Sequence, residues 1–448
     1  MQVADFLRLY RLDAELQTLS ARLLAAYKPA DATRPADDAA QGGELRVHLR
    51  GLVGSQDAVV IAAAAHHAHP NVFILHDKDE ATLFMADLRH LLPDGPEALL
   101  FPSSYKRPYE FDETENANVL MRAEVLNQLN ASRQASVAAL GKAPLIVTYP
   151  EALSEKVINR QSLVQNTFTA KVGDKLDVNF LGELLGQYDF EKSDFVYEAG
   201  QYAVRGGIVD VFSYANELPY RLELFGDEIE SIRTFNPETQ LSVEPRTSVS
   251  IIPNVQTKLL QERRESFLEF LPRTSCLWVK DMRQTLDIVT ELFDKAESNF
   301  KRLLEEAGGM QIVSKPSDLF EAGKSLKKCL DEYAIVEFGK RFYFKNAQEF
   351  QFTAKPQPSF NKDFDRLIKN IRENKVRDFT TVIAADSVRQ ADRLRTIFDE
   401  LDPNVQFQHL LIALREGFVD EQLGLAVYTD HQLFERYYRA QETRKFSK

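Results

Sequence analysis

Cysteine and tryptophan are scarce in this sequence: two cysteines, Cys276 and Cys329, and one tryptophan in 448 residues. Two distant cysteines with no CxxC spacing argue against a disulfide framework or a cysteine-based zinc site, and a reducing cytoplasm fits them. No apolar run approaches the roughly 20 residues that a membrane helix needs. The start, MQVADFLRLYRLDAEL, carries an acid at Asp5 and no long apolar block, which argues against a secretory signal. Positive charge is also short, since the net charge is −12. Proteins that grip nucleic acid through many phosphates usually present a basic face, so sequence-independent DNA binding is a poor first expectation.

What is present is a soluble, globular composition, 44% hydrophobic and 27% charged, in a chain long enough for two to four domains. Residues 3–27 read as a helix, with Phe6, Leu7, Tyr10, Leu16, Leu19, Leu23 and Leu24 near helical spacing. KPADATRPADDAAQGG (28–43) reads as a linker. From Glu44 strands alternate with helices: 45–49, 71–76, 98–103 and 144–149 are strand-like, and 55–68, 79–92 and 115–131 are helical. That alternation predicts an α/β domain over 44–150, its parallel sheet buried on both faces. The register changes after Pro150. Residues 151–197 read as a small α+β insert, and paired strands with Gly226-Asp227 and Asn236-Pro237 turns follow. Residues 256–330 read as mostly helical with one strand at 276–280, and 335–355 as irregular and aromatic. TAKPQPS (353–359) reads as a second linker, leading to a small α/β domain over 357–432 and a charged tail, 433–448.

The chemistry turns on Gly51-Leu-Val-Gly-Ser-Gln-Asp-Ala58, which follows the first strand and opens the first helix of the α/β domain. A phosphate loop reads G-x-x-x-x-G-K-[ST]. Its backbone amides cradle phosphate, its lysine neutralises charge and its hydroxyl binds magnesium. Here Gln56 replaces the last glycine, Asp57 the lysine and Ala58 the hydroxyl residue. An anion in place of a cation turns attraction into repulsion, roughly 4 kcal/mol per pair at about 4 Å and an effective dielectric near 20. The loop is therefore expected to be degenerate and to hold no cofactor. Gly51 and Gly54 would make a strand-to-helix turn, Ser55 would cap the helix, and Asp57 would complement its dipole.

Other constellations are weaker. Asp227-Glu228 could imitate a magnesium-binding acid pair, but alternating residues resume at once and make a hairpin turn. His66, His67 and His69 sit near a helix C-terminus, which favours histidine, and lack metal-ligand spacing to Cys or acid. No nucleophile frame such as GxSxG occurs. RFYFKNAQEFQF (341–352) could be a stacking platform for bases, but a packed strand suits an acidic chain better. No catalytic residue and no metal site is expected.

AGQYAVRGGIVDVF (199–212) and ELPYRLELFGDEIESIRTFNPETQLS (217–242) resemble the amino-terminal module of the bacterial transcription-repair coupling factors, the Mfd family, itself similar to the excision-repair protein UvrB. FPSSYKRPYEFDETENANVLMRAEVL (101–126), VTYPEALSEKV (147–157) and the loop after LRVHLR occur in the family's order. The resemblance implies a helicase-like α/β domain without its Walker motif and a small inserted domain. A mixed β-hairpin and helical domain (198–352) completes the module together with residues 1–27. It further implies that this is an amino-terminal fragment, ending before an RNA-polymerase-binding domain and a double-stranded-DNA translocase.

Function follows from the resemblance as an expectation: a non-catalytic adaptor whose insert binds UvrA, masked by the carboxy-terminal domains until the factor is engaged. The stretch 103–118 is too short for UvrB's DNA-probing hairpin, though Tyr105 and Tyr109 remain. Lys156 and Lys175 fall at basic positions of the family's UvrA-binding surface, with Arg160, Asp177 and Phe180 nearby. A few charges would steer the partner and an apolar residue would anchor it. Lysine at both matched positions lacks arginine's bidentate fork. Two alternatives stay open: a UvrB-like ATPase that handles DNA, and a scaffold that restrains the missing motor.

Overall fold

The computed structural model describes residues 1–26, 45–65, 69–104, 116–134, 143–159, 161, 167–188, 190–214, 216, 218–251, 264–306 and 314–436. Its largest element is a seven-stranded sheet. In spatial order the strands are Gln348–Gln351, Arg46–Arg50, Ala334–Gly339, Cys276–Val279, Asn71–Ile74, Leu145–Thr148 and Ala98–Leu100. Every neighbouring pair is parallel. Val72, Phe73, Ile74, Leu277, Trp278, Ile335 and Val336 are fully buried, as a sheet covered on both faces requires.

The strand order corrects the expected domain limits. Strands 276–279 and 334–339 lie between Arg46–Arg50 and Asn71–Ile74, so the α/β domain is not closed at residue 150. The physical reason is the backbone: without the later strands, Arg46–Arg50 and Asn71–Ile74 would face each other across unpaired amides and carbonyls.

Between these halves, residues 168–251 form a unit with its own core. Six strands lie in the order Ser242–Arg246, Glu228–Phe235, Tyr220–Phe225, Ile208–Val211, Gln201–Arg205, Glu191–Lys192. Phe168–Lys171 pairs with Ser248–Ile251 beside them. The helix Val178–Gln187 lays Leu181 and Leu185 against Tyr202, Val209, Leu222 and Ile232. A limit at 197 would cut this core in two. The hairpins belong with the insert because they cover its helix.

A five-stranded sheet, Ala354–Pro356, Phe418–Asp420, Leu425–Thr429, Thr380–Ala384 and Gln408–Leu410, makes the small C-terminal α/β domain with helices Phe364–Val376 and Val388–Leu401. The stretch expected as a linker, 353–359, contains its first strand. Pro356 is tolerated there because the strand is an edge. The expected helix over 3–27 is broken into Val3–Arg11 and Ala14–Ala26, with the Asp13 carboxylate accepting from the amides of Glu15 and Leu16 at the start of the second. Phe6, Leu7 and Tyr10 are buried in the main core. Among the described residues no helix is long and apolar enough to cross a membrane.

Candidate functional site

The strand Arg46–Arg50 delivers the chain to Gly51, and the helix Gln56–Ala64 begins five residues later. Gly51 (φ +84°) and Gly54 (φ +55°) both lie in the left-handed region. A Cβ at Gly51 would stand 2.0 Å from the Phe352 carbonyl oxygen, and one at Gly54 3.0 Å from that of Gly417. Both glycines are thus required by close backbone neighbours as well as by the turn. The second neighbour belongs to the small C-terminal domain, which sits on the loop.

That contact buries the loop. Ser55, Gln56 and Ala58 are 0% exposed and Asp57 4%. Ser55 does not cap the helix with its side chain, contrary to the sequence expectation. Its Oγ donates to Asp87 Oδ2 at 2.7 Å and accepts from the Glu416 amide at 3.0 Å. Asp87, far along the chain and buried, competes successfully for the hydroxyl. Gln56 Nε2 donates to Asp420 Oδ2 at 2.8 Å, and Tyr10 Oη donates to the same oxygen at 3.0 Å. Three of the loop's amides are already bonded. Ser55 N–H goes to the Glu416 carbonyl, Val53 N–H to Gln56 Oε1 and Gln56 N–H to the Val53 carbonyl.

Arg415 lies at the centre. Its Nη2 bonds Asp57 Oδ1 and the Gly54 carbonyl, the latter at 3.1 Å, and its Nη1 lies 3.4 Å from Asp87 Oδ2. Lys280 Nζ approaches Asp57 Oδ2 at 3.4 Å and also holds Glu80. Burial pulls the Arg415 guanidinium down, but the charges of Asp57 and then Asp87 outweigh it and raise it above its usual value. Burial pushes the Asp87 carboxyl from 3.8 up to about 7, with Arg415 opposing. The folded chain therefore holds a proton that the unfolded chain releases. Asp87's contribution to stability is fully present below its unfolded value and is lost as pH rises through about 7. Asp87→Asn is expected to flatten the fall in Tm over that window, measured by thermal melts at stepped pH.

The predicted partner-binding residues do not all lie together. Lys175, Asp177 and Phe180 are on the 168–251 unit. Lys156 is not: it follows the helix Pro150–Leu153 on the large domain, and its Nζ donates to the Ser317 carbonyl at 2.8 Å. Arg160 lies outside the described residues, as do His66, His67, Tyr105 and Tyr109. Asp177 caps the helix Val178–Gln187, accepting from the amides of Asn179 and Phe180 at 2.8 and 3.3 Å. Asp177→Ala should cost about 1 kcal/mol in urea denaturation, whereas Asp177→Asn should cost little. Lys175 Nζ reaches Asp227 at 3.3 Å, both highly exposed, so the pair contributes little to stability and leaves the ammonium accessible.

Phe180 is 55% exposed, and the same unit carries other exposed apolar residues that the sequence reading does not single out: Val172, Phe195, Tyr197 and, at 82%, Phe225. The turn 172–176 bonds to the hairpin end at residues 227–229, so Val172, Lys175 and Phe225 share one end of the unit. Phe195 and Tyr197 flank the buried Val196, and Arg205 stacks on Phe195 at 4.8 Å. The available signal is the two-residue alternation in Phe195-Val-Tyr197, which puts two large rings on the opposite side from Val196. Apart from Phe225, the conspicuous block 199–242 holds the unit together. Buried Asp210 pairs with Arg205 and takes Arg221 through both oxygens, at 2.7 and 2.8 Å, locking three adjacent strands. Asp227-Glu228 forms the expected hairpin end, beside Gly226 (φ +68°). In the 341–352 stretch, Phe342 and Phe344 lie under Arg50 and Arg46, and Gln348–Gln351 is a strand of the main sheet. No cluster among the described residues offers three metal ligands.

Residues 168–256 match the family described as the UvrB interaction domain, so the separately cored unit and the matched segment nearly coincide. Along more of its length the chain is similar to proteins named transcription-repair-coupling factor. It is 28% identical over 280 residues to that of Bacillus subtilis, covering 62% of this chain and 23% of the relative. It is 24% identical over 477 residues to that of Myxococcus xanthus, covering 87% and 39%, and 23% identical over 386 residues to that of Staphylococcus aureus, covering 71% and 33%. The chain thus spans well under half the length of these curated relatives.

Proposed function

We propose that this chain is a non-catalytic adaptor module of transcription-coupled excision repair, which binds UvrA through the 168–251 unit and brings it to a stalled RNA polymerase. The observation that carries the reading is the match of residues 168–256 to the UvrB interaction domain. It is supported by the exposed residues Phe180, Phe195, Tyr197 and Phe225 on that unit. At one end of the unit an exposed aromatic, Phe225, stands near an accessible cation, Lys175, and such a pairing is what a polar-rimmed interface with a few anchors uses. Masking of this unit by carboxy-terminal domains, and contacts with polymerase or duplex DNA, would involve sequence beyond this chain.

The non-catalytic part rests on the filled loop. A nucleotide would have to displace the Glu416 carbonyl from the Ser55 amide and Arg415 from Asp57, and would then meet Asp57 with its phosphates.

A pull-down with purified UvrA tests the proposal. Lys175→Glu with Phe180→Ala is expected to weaken capture by about tenfold or more. Lys156→Glu should leave capture nearly unchanged, because that side chain sits on the other domain. Capture that is indifferent to the first variant and lost with the second would move the interface off this unit.

A further inference from the structure

We propose that the former phosphate loop is now the docking socket for the small C-terminal domain, with Arg415 as a charge-specific plug and Asp57 retained as its counter-ion. Each departure from the loop consensus except Ala58 makes a bond across this seam. Gln56 reaches Asp420, and Asp57 reaches Arg415. Ser55 exchanges two bonds with Glu416, one through its amide and one through its hydroxyl. The small domain in turn presents a cation where a phosphate would have presented anions. Gly54 is favoured by its positive φ and by the Gly417 carbonyl, which a Cβ there would meet at 3.0 Å.

The seam is also closed from a third side. Tyr10 bonds Asp420, and the Met1 ammonium donates to the His409 carbonyl at 2.8 Å. The amino-terminal helix therefore spans both domains. Its Tyr10 hydroxyl and the Gln56 amide converge on one buried carboxylate oxygen, whose partner oxygen accepts from the amides of Gln422 and Leu423.

Specificity by charge makes a sharp statement. Replacing Arg415 alone takes the guanidinium from Asp87, which keeps the Ser55 hydroxyl and the residue-415 amide, and leaves Lys280 as the cation on Asp57. Replacing Arg415 together with both acids leaves no carboxylate facing the lost cation, and a buried cluster replaced as a whole is often tolerated where breaking one member is not. Burial of a merely well-packed arginine would show no such dependence.

The test is a mutant cycle read by hydrogen exchange of the Gly51–Ala58 segment, whose Ser55 amide is protected by docking. Arg415→Met is expected to speed its exchange by about tenfold or more, with the central strand Cys276–Val279 unchanged. In an Asp57→Asn, Asp87→Asn background the same substitution should change it by less than about twofold. Equal acceleration in both backgrounds, or none in either, would overturn the proposal. Should Arg415→Met alone not fold, the triple variant decides: regained protection in both segments supports the socket, and continued lack of protection refutes it. A negative result here leaves UvrA capture untouched, because that concerns the other unit.

Discussion

A chain given the full phosphate-loop consensus, by Gln56→Gly, Asp57→Lys and Ala58→Thr together, is expected to lose roughly 3–5 kcal/mol of stability and to show no rise in Tm with Mg-ATP. The loss has three sources. Asp57→Lys would set an ammonium beside both Arg415 and Lys280, turning two attractions into repulsions. Gln56→Gly would drop the bond to buried Asp420. Ala58→Thr would put a hydroxyl where Ala58 is fully enclosed. Restoring the motif does not restore the site, because the Ser55 amide and the space above it are already taken by Glu416 and Arg415. Chemical denaturation gives the stability change, and thermal melts with and without nucleotide give the ligand effect. A nucleotide-dependent Tm shift in the unaltered chain would mean that the loop still binds, contrary to the non-catalytic reading.

Asp210→Ala should be nearly as damaging, but in a different place. Asp210 is fully buried in a central strand of the six-stranded sheet and neutralises Arg205 and Arg221 from the strands on either side. Without it two guanidinium groups lose their counter-ion. Arg221 is the more enclosed, with its face over Phe235 at 4.3 Å. The expected cost is about 3 kcal/mol, below the upper end for buried pairs because both arginines keep some contact with water. Exchange protection should fall across 168–251 while the seven-stranded sheet keeps its own. A uniform loss over both units would show that they unfold together.

The layered α/β plan is legible because buried parallel strands announce themselves as short apolar runs between helices, as in NVFILH and PLIVTY. The strand CLWVK is equally plain, but its place is not. Nothing local says that residues 276–279 pair with residues 71–74, since that register is set by which edges would otherwise stay open. The limits of the insert are hidden for a related reason: Leu181 and Leu185 identify a helix face, not the strands that cover it. TAKPQPS looks like a linker because Pro356 and Pro358 are compatible with an edge strand only when the edge is known.

For the loop, sequence pattern identifies the lost chemistry and misses the gained one. Asp57 reads as an absent lysine at once. That it faces Arg415 cannot be read, because the two stand 358 positions apart and Arg415 belongs to no local motif. Ser55 has the composition of a cap, yet Asp87 draws its hydroxyl away. On the 168–251 unit, Asp177 reads as a contact because it is charged and near Lys175, whereas its carboxylate is engaged at the helix start. Phe195 and Tyr197 escape notice because aromatic residues in an alternating stretch ordinarily count as core.

Calorimetric titration of UvrA into the purified chain is the direct test of UvrA binding by the 168–251 unit. Saturable binding with a negative heat-capacity change is expected, from burial of exposed aromatics such as Phe180, with binding about tenfold weaker or more in Lys175→Glu with Phe180→Ala. No saturable heat at any temperature, or unchanged affinity in that variant, would contradict UvrA binding by this unit.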